Sequence, residues 1–393
     1  MSILMRLRSM RIGLGLVILC LSIVTIEIAA RMYFAATMSS DVLLYGVVES
    51  PTNALFDPKG EILRWDQKFA NTAIHDNVGD NYSKYFPNQH RIHPDEAGKQ
   101  IAATINSHGF RGRDFARTKA SGVIRIVTLG ASSTFGFKTR DDQSYPYYLE
   151  ERLNNERPGK YEVINLGIPH LHSDQIYSLF MAEAVPLEPD LVTFYEGFVD
   201  ASSSSRDSKA LVAVKAVPRV TTVFRELRHR LLSVALFADK AFGRRYPAAD
   251  AKFRVFQGEA DEKRKRFIDS LDSIYKECHR RGIVFIAMTQ QAKSLHVERD
   301  KIQGVSYEDE IAQLHAELAN GGGVYDLEKS LLIHNDLMAA ERLWAKSNDV
   351  PLVDVIEAMN ANRQYLIDWM HLSAQGNLVV AATLSEKILA LTQ

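Results

Sequence analysis

Two separated stretches of this chain carry residue types suited to nucleophilic and acid–base chemistry. The first, Arg125-Ile-Val-Thr-Leu-Gly-Ala-Ser-Ser-Thr-Phe-Gly136, is an apolar strand running into a Gly-Ala-Ser-Ser-Thr turn. A serine at the C-terminal end of a parallel strand, opening the next helix, is exposed and sits at the positive end of the helix dipole. Ser132 is therefore a candidate nucleophile. The second stretch is Asp368-Trp-Met-His371, an acid and an imidazole three residues apart just ahead of a C-terminal helix. His371 can act as the base and Asp368 as its orienter once folding brings the two ends together. Each also has a plainer reading, Ser132 as a helix cap and Asp368 with His371 as a surface ion pair.

The elements that must position these residues alternate between strand and helix. Continuous apolar runs predict strands at Val123–Leu129, Glu162–Leu166, Leu191–Tyr195, Ile283–Met288 and Leu352–Ile356. Helices are predicted near Tyr145–Asn155, Asp174–Ala184, Glu262–Arg281 and Ala374–Leu391. In the third of these, Phe267, Ile268, Leu271, Ile274, Tyr275 and Cys278 share one face, and Gly282 ends the helix before an apolar strand. Short apolar strands separated by amphipathic helices imply an α/β class with a parallel sheet covered on both faces. In such sheets ligands bind beyond the carboxyl ends of the strands. Ser132, His170, Asp200 and Gln290 all follow such ends and are expected on one rim, with His172 a further candidate. Asp200 and Glu196 also have a plainer reading, as carboxylates that bind backbone near their turn.

At these residues the chain resembles the SGNH or GDSL hydrolase family of esterases, lipases, carbohydrate deacetylases and O-acyltransferases. The family's Gly-Asp-Ser block reads Gly130-Ala131-Ser132 here, with the Asp replaced, and its Asp-x-x-His block is intact at Asp368 and His371, followed by Leu372-Ser373. The resemblance implies a three-layer α/β/α, flavodoxin-like sandwich in which Ser132, His371 and Asp368 are catalytic. Two further blocks are altered. Val163-Ile-Asn-Leu-Gly-Ile-Pro-His170 follows the layout of the second, with His170 where a glycine would lend its N–H to the oxyanion hole. The third, Gly-x-Asn-Asp, reads Gly197-Phe198-Val199-Asp200, so valine replaces the asparagine whose amide would complete that hole. Losing one such donor costs on the order of 10²–10³ in rate. The main-chain N–H groups of Ser132 and His170 remain, and a slow or specialised catalyst is expected. The alternative is a weak or inactive domain that holds a glycan or a partner in the same cleft.

The N-terminus bears on location. Residues 1–11 carry Arg6, Arg8 and Arg11 and no acid, and residues 12–30 are almost wholly apolar. Nineteen such residues approach the ~20 needed to cross a bilayer, and the basic flank predicts a cytoplasmic N-terminus with the remainder exported. A cleaved signal peptide is the rival reading, set against the length of the run and Arg31 directly after it. The expected layout is a basic tail 1–11, an anchor 12–30, an irregular segment 31–105 and a catalytic domain 106–393. Within that domain, Asn106-Ser-His-Gly-Phe-Arg-Gly112 is a run that resembles one found ahead of the serine in membrane-anchored family members. Residues 201–255 form an insertion with twelve Lys or Arg against four Asp or Glu. Its part from Val220 to Phe242 has amphipathic spacing, suited to an anionic surface or to packing on the domain.

Composition excludes several classes. With 393 residues, 46% hydrophobic, and a net charge of −1, nothing suggests a nucleic-acid partner. The two cysteines, Cys20 in the apolar run and Cys278, exclude a disulfide framework. No zinc spacing, Walker motif or dinucleotide motif is present, so no metal or cofactor is expected. The resemblance implies an ester substrate, an acylated carbohydrate among the candidates, and for anchored members a multi-pass acyltransferase membrane protein as partner. An inner-membrane, single-pass protein with a periplasmic or extracellular catalytic domain is the corresponding expectation.

Overall fold

The computed structural model describes residues 15, 17–29, 32, 73–74, 82–85, 87–95, 100–202, 252–294 and 302–392. The chain divides into two compact units, residues 1–54 with 206–248 and residues 55–205 with 249–393. In the first, residues 17–29 are helical, and Val17, Leu21, Val24 and Ile28 are each more than half exposed. No helix among the described residues is long and apolar enough to cross a membrane. Residues 12–14, 16 and 30 of the expected anchor lie outside the described residues, as does Val220 to Phe242 of the insertion.

The described part of the second unit begins with two antiparallel pairs, β1 (Ala73–Ile74) with β2 (Ser83–Lys84) and β3 (Gln89–Pro94) with β4 (Gln100–Ile105). The segment expected to be irregular thus contains strands. Its one period-2 signal is Ile101, Ala103 and Ile105, all buried, with Ala102 and Thr104 less so. The other strands are too short or too polar to show a period.

A five-stranded parallel sheet follows, built from β5 (Ile124–Gly130), β6 (Tyr161–Asn165), β7 (Leu191–Tyr195), β8 (Val284–Met288) and β9 (Leu352–Val353). Its order is β6-β5-β7-β8-β9. The chain steps outward from β5 to β6 and then back across to β7, so the order reverses beside β5, where open sheets leave a crevice at the carboxyl ends.

Among the described residues of this unit the helices are α1 (Ser132–Phe135), α2 (Tyr145–Glu156), α3 (Ser173–Leu179), α4 (Phe198–Ser202), α5 (Gln257–Arg281), α6 (Tyr307–Ala319), α7 (Asp326–Ser347), α8 (Val355–Met359) and α9 (Ala374–Leu391). Alternate strand residues sort onto two faces. Val127, Leu129, Val192, Phe194, Phe285 and Ala287 pack with apolar residues of α3, α5 and α7. Ile126, Leu191, Tyr195, Ile286 and Met288 pack with those of α2 and α9. Burial on both sides explains why β5, β7 and β8 read as continuous apolar runs. On α5, Phe267, Leu271, Ile274 and Cys278 are fully buried, and burial pushes the Cys278 thiol up to about 12. The run expected as one strand, Leu352–Ile356, stops at Val353. Asp354 accepts the Glu357 N–H (3.2 Å) and caps α8 instead.

Three contacts shape the exit from β5. A Cβ on Gly130 would lie 2.4 Å from the Tyr195 carbonyl and 2.1 Å from Thr134 Oγ1, and one on Gly167 would lie 2.3 Å from the Phe135 nitrogen. Only glycine fits where these backbones meet. Asn165 then ties the loop after β6 to α1, donating from Nδ2 to the Thr134 carbonyl (3.0 Å) and accepting the Gly167 N–H on Oδ1 (2.9 Å). Glu196, at the end of β7, is fully buried and accepts the Ala131 N–H (3.1 Å) and the Val199 N–H (2.9 Å), joining the turn ahead of Ser132 to α4.

Burial pushes the Glu196 carboxyl up to about 8, with Asp200 adding to the rise and the backbone N–H groups of Gly197, Val199 and Ala131 opposing it. A carboxyl raised on folding contributes stability that is full below its unfolded value and is lost as pH rises through its folded value. Glu196→Gln removes this titration. The stability of the wild type relative to the variant, from denaturant unfolding, is expected to fall between pH ~5 and pH ~9. A pH-independent difference would refute the raised carboxyl.

Candidate active site

Ser132 opens α1 directly beyond β5, and the four-residue helix ends at Gly136 in a left-handed conformation. The opposite side of the site is the loop between Leu366 and Leu372, closed by a β-bridge between those two residues and by the Ile367 N–H donating to the His371 carbonyl (2.9 Å). Inside it, Asp368 Oδ1 accepts the backbone N–H groups of Met370 (3.1 Å) and His371 (2.9 Å). The acid is thereby fixed by its own turn before it meets the imidazole. The loop docks on α1 through Ser133 Oγ, which donates to the Met370 carbonyl (3.3 Å).

The structure brings Ser132, His371 and Asp368 into one hydrogen-bonded line. His371 Nδ1 lies 2.9 Å from Asp368 Oδ1 and 2.8 Å from Oδ2, and Nε2 lies 2.8 Å from Ser132 Oγ. An ionised carboxylate only accepts, so Nδ1 carries a proton; with the ring neutral, Nε2 presents its lone pair to the serine hydroxyl. All three residues are less than a tenth exposed. Burial tends to raise the Asp368 carboxyl, but the neighbouring His371 and Lys138 outweigh it and hold the group well below its ordinary value.

Lys138, which sequence reasoning passed over, donates from Nζ to Asp368 Oδ2 at 2.9 Å. Its loop is gripped by the buried Arg111, which donates to the Phe135 carbonyl (2.9 Å) and to those of Gly136 and Thr139, and pairs with Asp141 (3.0 Å). Arg111 belongs to the Asn106–Gly112 run, which therefore braces the loop after the serine. The rings of Phe137 and Trp369 lie 4.9 Å and 6.5 Å from that of His371.

The remaining predicted residues fall elsewhere. His170 is exposed in the loop after β6 with φ +68, the left-handed conformation that favours glycine. The backbone at this position thus has a glycine-like geometry although the residue is histidine. Gly197 precedes α4, where a Cβ would meet Met338 Cε at 2.5 Å. Val199 is buried in α4, its N–H spent on Glu196. Asp200 and Gln290 are fully buried rather than on an open rim. Asp200 accepts from the Ser173 N–H and hydroxyl (2.9 Å each) and faces Arg266 Nε at 3.4 Å and His172 Nδ1 at 4.0 Å, which places it at the start of α3. Gln290 donates to Ser133 Oγ (2.9 Å) and accepts the Phe198 N–H (2.7 Å), stitching the end of β8 to the serine turn and α4. Among the described residues no group of His, Cys, Asp and Glu could hold a metal ion.

Comparison with known proteins bears on this geometry. Several solved structures are similar at low identity. A GDSL-like lipase from Bacteroides thetaiotaomicron VPI-5482 is 13% identical, with a TM-score of 0.40, over 70% of this chain and 93% of that one. The lipase/acylhydrolase from Enterococcus faecalis is 14% identical, with a TM-score of 0.41, over 68% and 97%. A catalytic mutant of an acetylxylan esterase from Geobacillus stearothermophilus is 13% identical, with a TM-score of 0.40, over 69% and 96%. No curated protein matches the chain. The GDSL-like Lipase/Acylhydrolase family, in contrast, matches residues 128–379, a span that runs from the end of β5 into α9 and encloses Ser132, Asp368 and His371. With that match over well more than half its length, the chain belongs to the GDSL-like lipase/acylhydrolase family and is an ester hydrolase of that family.

Proposed function

We propose that this protein is a serine esterase or O-acyltransferase anchored at a membrane and acting outside the cytoplasm on acyl esters, with O-acetylated polysaccharide as the substrate class. The observation that carries the chemistry is the 2.8 Å contact between Ser132 Oγ and His371 Nε2, in line with Asp368 on Nδ1. Ser132 Oγ attacks the ester carbonyl as its proton passes to Nε2. The tetrahedral intermediate expels the alcohol, which takes that proton and leaves an acyl-serine. Water, activated by the same imidazole, then releases the acid; a sugar hydroxyl in the place of water would receive the acyl group instead. Transfer of that kind fits a multi-pass membrane partner that supplies the acyl donor. Phe137 and Trp369, half-buried beside His371, are residue types suited to a sugar ring. The oxyanion would be met by main-chain N–H groups of Ser132 and His170, because the side chain of Val199 carries no amide and its backbone N–H is bound to Glu196.

A fluorophosphonate is expected to label Ser132 in the full chain and to leave Ser132→Ala unlabelled. A well-folded wild type that resists labelling would support the alternative, a noncatalytic cleft that binds a glycan or partner. Val199→Asn should raise turnover of an activated acetyl ester, by up to the order of 10²–10³ that one oxyanion donor is worth. A lower rate in a folded variant would instead make Val199 part of the substrate pocket.

The anchor rests on the apolar run 12–30 and on Arg6, Arg8 and Arg11 ahead of it. Carrying those arginines through hydrocarbon costs kilocalories each, so they stay on the cytoplasmic side. In intact cells with a permeabilised outer layer, protease should digest the large domain and spare a small N-terminal fragment. Protection of the whole chain would place the enzyme in the cytoplasm and remove the polysaccharide substrate.

A further inference from the structure

Beside the proposed triad lies a cation that the acyl-transfer steps above do not use. We infer that Lys138 is a positioning residue, which holds the outer oxygen of Asp368 and offsets the negative charge that this carboxylate presents to His371. The inference rests on the proposed roles of Ser132, His371 and Asp368.

The geometry is specific. Asp368 Oδ1 is taken up by the backbone of its own turn, and His371 Nδ1 bridges both oxygens. Lys138 Nζ occupies the outer side of Oδ2 at 2.9 Å. The carboxylate is thus held from three directions and cannot rotate without breaking a charged contact. Lys138 adopts φ +65, a left-handed conformation that a lysine rarely takes. Arg111 fixes the loop on both sides of it, and Thr139 Oγ1 closes it onto the Gly136 carbonyl (2.7 Å). The loop therefore imposes this backbone, and the side chain lands on the acid that orients the imidazole.

The charges around that acid decide the sign. An uncompensated carboxylate stabilises the imidazolium and keeps His371 protonated to higher pH, where it cannot accept the serine proton. A cation on the far oxygen opposes this. The groups facing Asp368 are His371 from its own turn, Lys138 from the loop after α1, and Lys293 from the segment after β8. Lys293 itself also faces Glu310 and Arg363, which pair with one another at 2.5 Å. Lys138 is the one of these cations placed at bonding distance on Oδ2. Part-exposed ion pairs contribute little to folding stability, so the consequence to look for is protonation.

The test follows the imidazole of His371 in the full chain, labelled with 15N-histidine and assigned by the signal lost in His371→Gln. In Lys138→Met its titration is expected to move up by about half a pH unit or more, a threefold rise in proton affinity. Lys138→Gln, which can hydrogen-bond without charge, should move it similarly, and it carries the test if the Met variant does not fold. Lys138→Arg should restore the wild-type titration. The acid limb of the pH profile for fluorophosphonate labelling should move with the imidazole, and KM for an acetyl ester should stay within about twofold, since Lys138 acts through Asp368. Coincident His371 titrations in the wild type and both uncharged variants would overturn the inference. The NMR titration decides this even if the wild type is not labelled, an outcome that would count against the proposed catalysis alone.

Discussion

Everything around the serine depends on how closely three backbones approach at the end of β5. Gly130 lies against the Tyr195 carbonyl and Gly167 against the Phe135 nitrogen, at distances that leave no room for a Cβ. Backbone packed this tightly has few ways to relax, so the direction in which the chain leaves the strand is set by sterics. Hydrogen bonds then lock the same junction. Asn165 binds α1 from one side, and Glu196 binds the turn ahead of Ser132 from the other. A nucleophile needs such a base, because an error of about an ångström in its position is costly in rate.

The acid and the base approach from the opposite end of the chain and are organised by a different device. The Leu366–Leu372 loop is ordered by its own backbone, with Asp368 serving at once as the receptor of its turn and as the partner of His371. Two locally organised pieces therefore meet where Ser132 Oγ faces His371 Nε2. Ser133 secures the meeting, since its hydroxyl donates to the Met370 carbonyl while it accepts from Gln290. A residue beside the nucleophile thus does the docking, which leaves the nucleophile's own hydroxyl to the imidazole.

What was legible in the sequence follows the range of the interactions. Strands β5, β7 and β8 could be read because burial on both faces leaves uninterrupted apolar runs, and α5 because its inward face repeats at helical spacing. Asp368 and His371 could be paired because their spacing is local. The end of β9 escapes an apolar count across Leu352–Ile356 because such a count ignores Asp354, which caps a helix. Lys138 was invisible for another reason: its partner lies 230 positions away, at Asp368, and its loop is held by Arg111 through carbonyl oxygens that leave no trace in residue type. Asp200 and Gln290 follow strand ends as expected, yet their polar atoms are consumed by backbone and hydroxyl partners inside the fold, which no strand-end rule distinguishes from a rim.

The burial of Cys278 has a practical consequence for anyone who modifies this protein. With the thiol fully buried and pushed up to about 12, it stays protonated at neutral pH, and alkylating reagents act on thiolates. Cys20, by contrast, is exposed. Under the proposed topology Cys20 faces lipid within the run 12–30, so the catalytic domain offers no reactive thiol of its own, and a cysteine introduced on its surface would be a single aqueous handle for a fluorophore or spin label.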